Sequence, residues 1–181
     1  MKNLIKIGQG IDVRLLALEL KRQPELWNQN TERTAPEDSP HHEADDIWVR
    51  YAQDVRAISG HESVWYPAWK MLPSLRAIVF GVMSLVQAES LGGVLITRIP
   101  PGKQVYPHVD HCWHADYYDK IAVQIESHQQ QAFHFDEGAF SAAPGDIYWF
   151  NNHESHWVTN DSPVDRVTLI ICVRLETPPI K

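Results

Sequence analysis

Cysteine is scarce in this chain: Cys112 and Cys172 are the only two in 181 residues, with no Cys-x-x-Cys pair. That leaves no basis for a disulfide framework, and free thiols in a reducing compartment are the expectation. Basic charge is scarce as well, with 16 Lys and Arg against 23 Asp and Glu and a net charge of −7. No basic stripe stands ready to neutralise phosphates, which excludes a nucleic-acid surface. No apolar run is long enough to span a bilayer, and residues 1–7 lack the apolar stretch and small-residue cleavage site of an export signal, so a soluble, cytoplasmic protein is expected. Internal repeats, low-complexity tracts and a Gly-x-Ser-x-Gly nucleophile elbow are all missing. What is left is one core's worth of chain, expected to form a single domain over residues 1–181.

The two halves differ in period. Ile11, Leu15 and Leu18 fall on one helical face after a candidate cap at Asp12, and Pro24 limits that helix. Residues 28–46 are acidic and rich in Pro, Ser, Thr and Asn, too polar to order on their own, and read as a loop or lid. From Leu72 to Gln87 the set Leu75, Ile78, Val79, Val82, Leu85 and Val86 repeats at helical spacing, and Gly92-Gly93 closes the segment. The expectation for residues 1–91 is therefore a helical part containing an acidic loop. After Gly93 the pattern becomes that of short strands: Val94 to Ile99, Lys120 to Glu126, Ala132 to Phe135, Ile147 to Phe150, His156 to Asn160 and Arg166 to Leu175. They are separated by turns such as Pro144-Gly145-Asp146 and Asp161-Ser162-Pro163. So many short strands in residues 92–176 predict a mainly β fold with N-terminal helices and a jelly-roll, cupin-like core.

Within that core, His108-Val109-Asp110 is answered by His156 and, ten residues later, by Arg166. Residues two apart on a strand point to one face, so His108 and Asp110 can look into one cavity together. Two imidazoles and a carboxylate hold a ferrous ion on one face and leave its other positions open for a cosubstrate and dioxygen. Arg166 adds a permanently charged fork that pairs bidentately with a carboxylate. If Asn160 pairs with residue 165 or 166 in a hairpin, His156 lies roughly 13 Å from the Arg166 backbone at strand rise. An arginine side chain plus a five-carbon dicarboxylate chelated to the metal would span that gap. Thr168, on the same strand face as Arg166, can add a hydroxyl hydrogen bond.

The pattern His108-x-Asp110, Pro144-Gly145-Asp146-x-Tyr148-x-Phe150-Asn151-Asn152, His156-x-Val158-x-Asn160 and Arg166-x-Thr168 resembles the aspartyl/asparaginyl β-hydroxylase family, over about residues 95–175. These are Fe(II)- and 2-oxoglutarate-dependent oxygenases built on a double-stranded β-helix. The resemblance implies a hydroxylase with Fe(II), 2-oxoglutarate and O2, in which His108, Asp110 and His156 bind the metal and Arg166, Thr168 and Lys120 the cosubstrate. This chain departs from the mammalian-type members, which have glycine at the place of Asp110 and an Arg and a His where Lys120 and Ala122 stand here. Their substrate, an Asp or Asn in a disulfide-rich domain, is therefore a poor expectation. A small molecule, an amino acid, or a peptide or protein side chain remains open.

Other readings stand beside this one. His111, His114, His128, His134 and His153 are alternative nitrogen donors in the same region, and Asp110 could cap a turn. The stretch His41-His42-Glu43 has metal-compatible side chains, but its spacing matches no site. Beyond it, Trp48 and Arg50 are expected to hold substrate, with Trp113 bordering the pocket. A cupin-type isomerase or dioxygenase without a keto acid would keep the metal ligands and dispense with Arg166, and a non-catalytic jelly-roll module would need neither.

Overall fold

The computed structural model describes residues 1–53 and 63–176. In chain order they form β1 (Leu4–Gly8), α1 (Arg14–Arg22), a 3-10 turn at Pro24–Leu26, β2 (Asp45–Ala52), β3 (Ser63–Trp65), α2 (Ala68–Met71), α3 (Leu75–Leu85) and β4 (Ser90–Ile99). There follow β5 (Gln104–His108), α4 (Trp113–Tyr117), β6 (Asp119–Glu126), β7 (Gln131–Phe135), β8 (Gly138–Phe140), β9 (Ile147–Phe150), β10 (His156–Asn160) and β11 (Arg166–Arg174). All pairings are antiparallel and make two sheets, a seven-stranded one ordered β1-β9-β6-β11-β4-β2-β3 and a four-stranded one ordered β5-β10-β7-β8. This is the expected jelly roll.

A strict two-residue alternation sets the layers. On β11, Val167, Leu169, Ile171 and Val173 join Ile121 and Val123 of β6, Val94 and Ile96 of β4, and Leu16, Leu75, Ile78 and Val82 of the helices in one apolar cluster. The other face of the seven-stranded sheet looks toward the four-stranded one. There Ala122, Ile99, Tyr148 and Phe150 pack against Phe133, Phe135, Val105 and Val158. The large sheet is thus buried on both sides, helices on one and the small sheet on the other. No helix among the described residues is long and apolar enough to cross a membrane.

Several expectations for the first half are corrected. Three strands, β1, β2 and β3, lie within residues 1–91, and β2 pairs along β4 inside the main sheet. Helix α1 buries Leu16 and Leu20, while Leu15 and Leu18 are 64% and 43% exposed. Its run of aliphatic residues satisfies a helical period on either face, and the sheet selects the one that meets its own apolar side. The N-cap position of α1 falls on Val13, but Asp12 accepts the N–H of Arg14, the first helical residue, at 3.0 Å and pairs with that residue's side chain at 2.7 Å. Gly92 and Gly93 do not close α3 but lie inside β4, where close approach demands them. A Cβ at Gly92 would sit 2.8 Å from the Tyr118 ring, and one at Gly93 only 3.2 Å from His114 and Tyr51.

The expected hairpin between residues 160 and 166 is also absent, since β10 and β11 belong to different sheets. Asn160, fully buried, donates to the carbonyls of Ile99 (2.7 Å) and Val164 (2.8 Å) and accepts from the Ser162 hydroxyl (2.7 Å). That bonding turns the chain across the sandwich instead of back on itself.

The assignment of the α1 face has a measurable consequence. Leu16→Ala should cost about 2–5 kcal/mol, whereas Leu15→Ala should stay within about 0.5 kcal/mol, read as shifts in the urea midpoint. Equal losses would contradict the packing.

Candidate metal and cosubstrate site

His108 ends β5 and His156 begins β10, and the two residues face each other as ladder partners. Their rings lie 4.4 Å apart between centroids. Each imidazole uses Nδ1 against a carbonyl, His108 to Tyr106 at 2.7 Å and His156 to Glu154 at 2.8 Å. A carbonyl only accepts, so Nδ1 carries the proton in both, leaving Nε2 with its lone pair free. Fixing a ligand's tautomer through its other nitrogen is how metal-binding histidines are oriented. Asp110 follows two residues after His108, its backbone N–H held by the Asn152 carbonyl (3.0 Å) and one carboxylate oxygen 3.6 Å from His108 Nε2.

Electrostatics suit a divalent cation. Burial among Phe133, Phe135 and Phe150 lowers the pKa of His156 to about 4, with His108 pushing the same way. Burial likewise lowers that of His108. Burial would raise the Asp110 carboxyl, but Lys120 and the two histidines outweigh it and hold the group well below the usual carboxylate range. Two neutral imidazoles and one carboxylate, with two free nitrogens turned to a common cavity, fit Fe(II) by donor type and number.

The cavity between the sheets has a volume of about 360 Å³, and His108, Asp110, His156, Lys120, Arg166 and Thr168 all line it. Arg166 is 5% exposed. Its Nη1 donates to Thr168 Oγ1 (2.7 Å) and its Nη2 to the Tyr148 hydroxyl (3.1 Å), while Thr168 in turn donates to Gln124 Oε1 (3.3 Å). Gln124 is pinned by the carbonyls of Glu126 and Val167. The guanidinium is therefore locked in place by neutral partners, and among the described residues no carboxylate lies within 4 Å of it. A buried cation without an anion is costly, and an incoming carboxylate would supply the missing charge.

The structure thus gathers His108, Asp110, His156, Arg166 and Thr168 as the motif spacing suggested. It reaches that result across the sandwich, with the metal residues on the small sheet and its margin and Arg166 on the large one. Lys120 also enters the cavity but pairs with Asp110 at 3.4 Å. Trp48, Arg50 and Trp113 are elsewhere: Trp48 packs edge-on against Tyr51 and Tyr66, Arg50 lies over the Trp65 ring at 4.9 Å, and Trp113 stacks on Tyr117. A bulge explains Arg50. Trp48 is the partner of Leu95 but Arg50 of Val94, so the extra residue turns Arg50 to the helix side and brings Tyr51 into the cavity.

Sequence reasoning missed Arg33, His41, Tyr148 and Gln124. Tyr148 was present in the motif without a role, and Gln124 shares a strand face with Lys120, so both had a two-residue signal. Arg33 and His41 come from the acidic loop, which packs firmly on β5. The Tyr106 N–H donates to the Pro40 carbonyl (2.8 Å), Glu43 accepts from the Gln104 N–H (3.2 Å), and His42 stacks on Tyr106. Asn28 brackets the Asp46 backbone from both sides. The stretch does not order itself; β5 and β2 order it.

A family model described as aspartyl/asparaginyl beta-hydroxylase matches residues 18–175. A search of curated protein sequences returns no match. Among solved structures, a 2OG-Fe(II) oxygenase family oxidoreductase from Burkholderia pseudomallei is similar at 20% identity over 87% of this chain and 78% of that one, with a TM-score of 0.55. The viral collagen prolyl hydroxylase of Paramecium bursaria Chlorella virus-1, in its 2OG complex, aligns over 96% of both chains at 10% identity and TM-score 0.58. A Trichoplax adhaerens prolyl hydroxylase bound to a hypoxia inducible factor peptide aligns over 96% of this chain and 83% of that one, at 11% identity and TM-score 0.59. At these identities the structural likeness concerns the fold.

Metal affinity should follow the histidine protonation. With the pKa of His156 lowered to about 4 and that of His108 also below its ordinary value, proton competition is displaced to the acid side of the ordinary histidine range. Calorimetric titration with Co(II) should give an affinity nearly flat across neutral pH, declining in the acid range. A loss centred near about pH 6.5, the value of an unperturbed histidine, would contradict the assigned environment.

Proposed function

The chain belongs to the aspartyl/asparaginyl β-hydroxylase family of Fe(II)- and 2-oxoglutarate-dependent oxygenases, and we propose that it hydroxylates a small, carboxylate-bearing, amino-acid-like substrate at an unactivated C–H bond. His108, Asp110 and His156 would hold the ferrous ion, and Arg166 with Thr168 and Tyr148 would receive the distal carboxylate of 2-oxoglutarate. The observation that carries this reading is the buried Arg166 guanidinium, held by neutral partners on the wall of the cavity that the histidines share. When bound, iron and the keto acid supply the oxidising chemistry, in which one oxygen atom goes to succinate as carbon dioxide is lost and the other goes to the substrate C–H bond.

The protein's own contribution is binding, orientation and exclusion of water. Gln124 holds the hydroxyls of Thr168 and Tyr148 toward Arg166, so the guanidinium is oriented before any ligand arrives. Lys120 balances the charge of Asp110 and keeps that carboxylate ionised. Aromatic rings around His156 keep the metal face dry. No side-chain general base is needed for hydrogen removal by such a centre.

Substrate size and charge are argued from the same cavity. Some 360 Å³ lies near the low end of the roughly 300–1,000 Å³ of ligand pockets, and five-carbon 2-oxoglutarate would take part of it. Arg33 lines the cavity away from Arg166 in sequence, with its Nη1 3.3 Å from Asp46 Oδ2. That contact is a charge pair without hydrogen-bond alignment, since the same oxygen has no hydrogen-bond donor. The fork of Arg33 therefore retains donors for a substrate carboxylate. It replaces Arg50 in the expected role.

Two experiments test this reading. Arg166→Ala should leave Co(II) binding intact and weaken 2-oxoglutarate by about 2–4 kcal/mol, with Arg166→Lys recovering only part; equal keto-acid affinity in wild type and Arg166→Ala would overturn the anchor. Succinate release from 2-oxoglutarate, screened against free amino acids and peptides, should be stimulated by a free amino acid. Arg33→Ala should raise the KM for that amino acid while sparing the KM for 2-oxoglutarate. Stimulation by peptides alone would contradict the substrate class.

A further inference from the structure

The loop of residues 28–44 sets two donors on one wall of the cavity and ties them to each other. Arg33 and His41 both line that cavity. The Ser39 hydroxyl joins them, donating to the Arg33 carbonyl and accepting the His41 N–H at 3.2 Å. Each is also held from outside. The Ala44 N–H donates to the His41 carbonyl (2.9 Å), the Tyr106 N–H donates to the neighbouring Pro40 carbonyl (2.8 Å), and Arg33 Nη1 lies 3.3 Å from Asp46 Oδ2. Asp46 in turn accepts from Thr97 Oγ1 (2.8 Å) through its other oxygen. Strands β2, β4 and β5 thus hold the pair in place before any ligand arrives.

What this wall lacks is an acceptor. The Nδ1 atom of His41 is buried and, among the described residues, has no hydrogen-bond partner. Asp46 gives Arg33 a charge but no aligned hydrogen bond. A buried polar nitrogen left unpaired is costly, so the pair suits a group that the protein does not supply. Burial, with the Arg33 charge acting the same way, opposes a second proton on the imidazole, leaving a neutral ring whose one proton can sit on the nitrogen that faces an anion. A carboxylate, with two oxygens and about four acceptor sites, satisfies a guanidinium fork and an imidazole together. An amide brings one oxygen and adds N–H groups for which neither residue is a good partner. A ring nitrogen of His41 lies within 4.8 Å of one of His108 and of a carboxylate oxygen of Asp110. A group held there sits beside the metal ligands, and the metal keeps its three protein donors.

We propose that Arg33 and His41 form a clamp that selects a free carboxylate on the substrate, with Ser39 as the residue that positions both. This rests on the reading of an amino-acid-like substrate and deepens it. The acid is accepted with its carboxyl ionised, and a residue inside a peptide chain, whose carboxyl is tied up as an amide, is rejected. Specificity then comes from the loop, while the barrel supplies the metal and keto-acid residues.

The test compares acids with their amides. Succinate release by the holoenzyme is measured with the common free L-amino acids and with the α-carboxamide of each. In wild type the stimulating amino acid should have a KM lower than that of its carboxamide by about tenfold or more, the scale of one charge-assisted hydrogen bond. That preference should shrink in Arg33→Ala, in His41→Leu and, through loss of positioning, in Ser39→Ala. His41→Gln, which keeps an N–H donor, should recover part of it. Calorimetric Co(II) binding should persist in both His41 variants, which shows that they fold and that His41 is not a metal ligand. A preference for acid over carboxamide as large in His41→Leu as in wild type, or carboxamides that stimulate wild type as well as the acids do, would overturn the clamp and leave the amino-acid reading standing. Stimulation by neither acids nor carboxamides would overturn both.

Discussion

The two-residue period of β11 is the constraint on which the rest depends. Its odd-numbered residues, Val167, Leu169, Ile171 and Val173, are locked into the cluster formed with the helices. Arg166 and Thr168 therefore have one direction left, into the space between the sheets. A one-residue slip would exchange the two sets, placing a guanidinium among leucines and valines at a cost of several kcal/mol. The apolar face thus fixes the polar one. The same period on β6 and β9 delivers Gln124 and Tyr148 beside Arg166 and Thr168, while Lys120, opposite Cys172, enters the cavity beside Asp110.

Charge is distributed against the sign of the whole molecule. The chain carries −7 overall, yet Arg33, Lys120 and Arg166 converge on one cavity whose lining offers Asp110 as its carboxylate. Lys120 balances Asp110 and Asp46 balances Arg33, which leaves Arg166 as the uncompensated charge. A ferrous ion and a dianionic keto acid would cancel one another, and Arg166 would lie at the far end of that pair. The field that draws anions inward is built before any ligand binds, and preorganised charge of this kind costs no rearrangement during reaction.

Much of the second half of the fold could be read from the residues, because short alternating runs bounded by Pro, Gly and Asp turns have few other solutions. The first half resisted for physical reasons. In Asp45–Ala52 a strand buried on both faces carries no clean alternation, and a bulge breaks what there is. Strand β1 is a five-residue edge strand interrupted by Lys6. Helix α1 has aliphatic residues on two faces, and tertiary packing made the choice. For the site, His108, His156 and Arg166 were legible because each stands at a strand end, while Asp110 lies just beyond β5 and is held by the Asn152 carbonyl rather than by the pleat of a strand. The assumed hairpin linking His156 to Arg166 was wrong, although both residues still line one cavity. Arg33 and His41 arrive from a loop far away in the chain, ordered by contacts with β5 and β2 that no local period encodes.

The central claim is that a keto acid bridges the metal residues on one side of the sandwich and Arg166 on the other. Anaerobic titration of 2-oxoglutarate into the Fe(II)-loaded protein tests it most directly, because chelation of Fe(II) by a keto carboxylate produces a visible charge-transfer band. The band should appear with saturable 2-oxoglutarate dependence in wild type, require His108 and His156, and shift to much higher keto-acid concentration in Arg166→Ala. Keto-acid binding without that band, or a band whose concentration dependence ignores Arg166, would contradict the account.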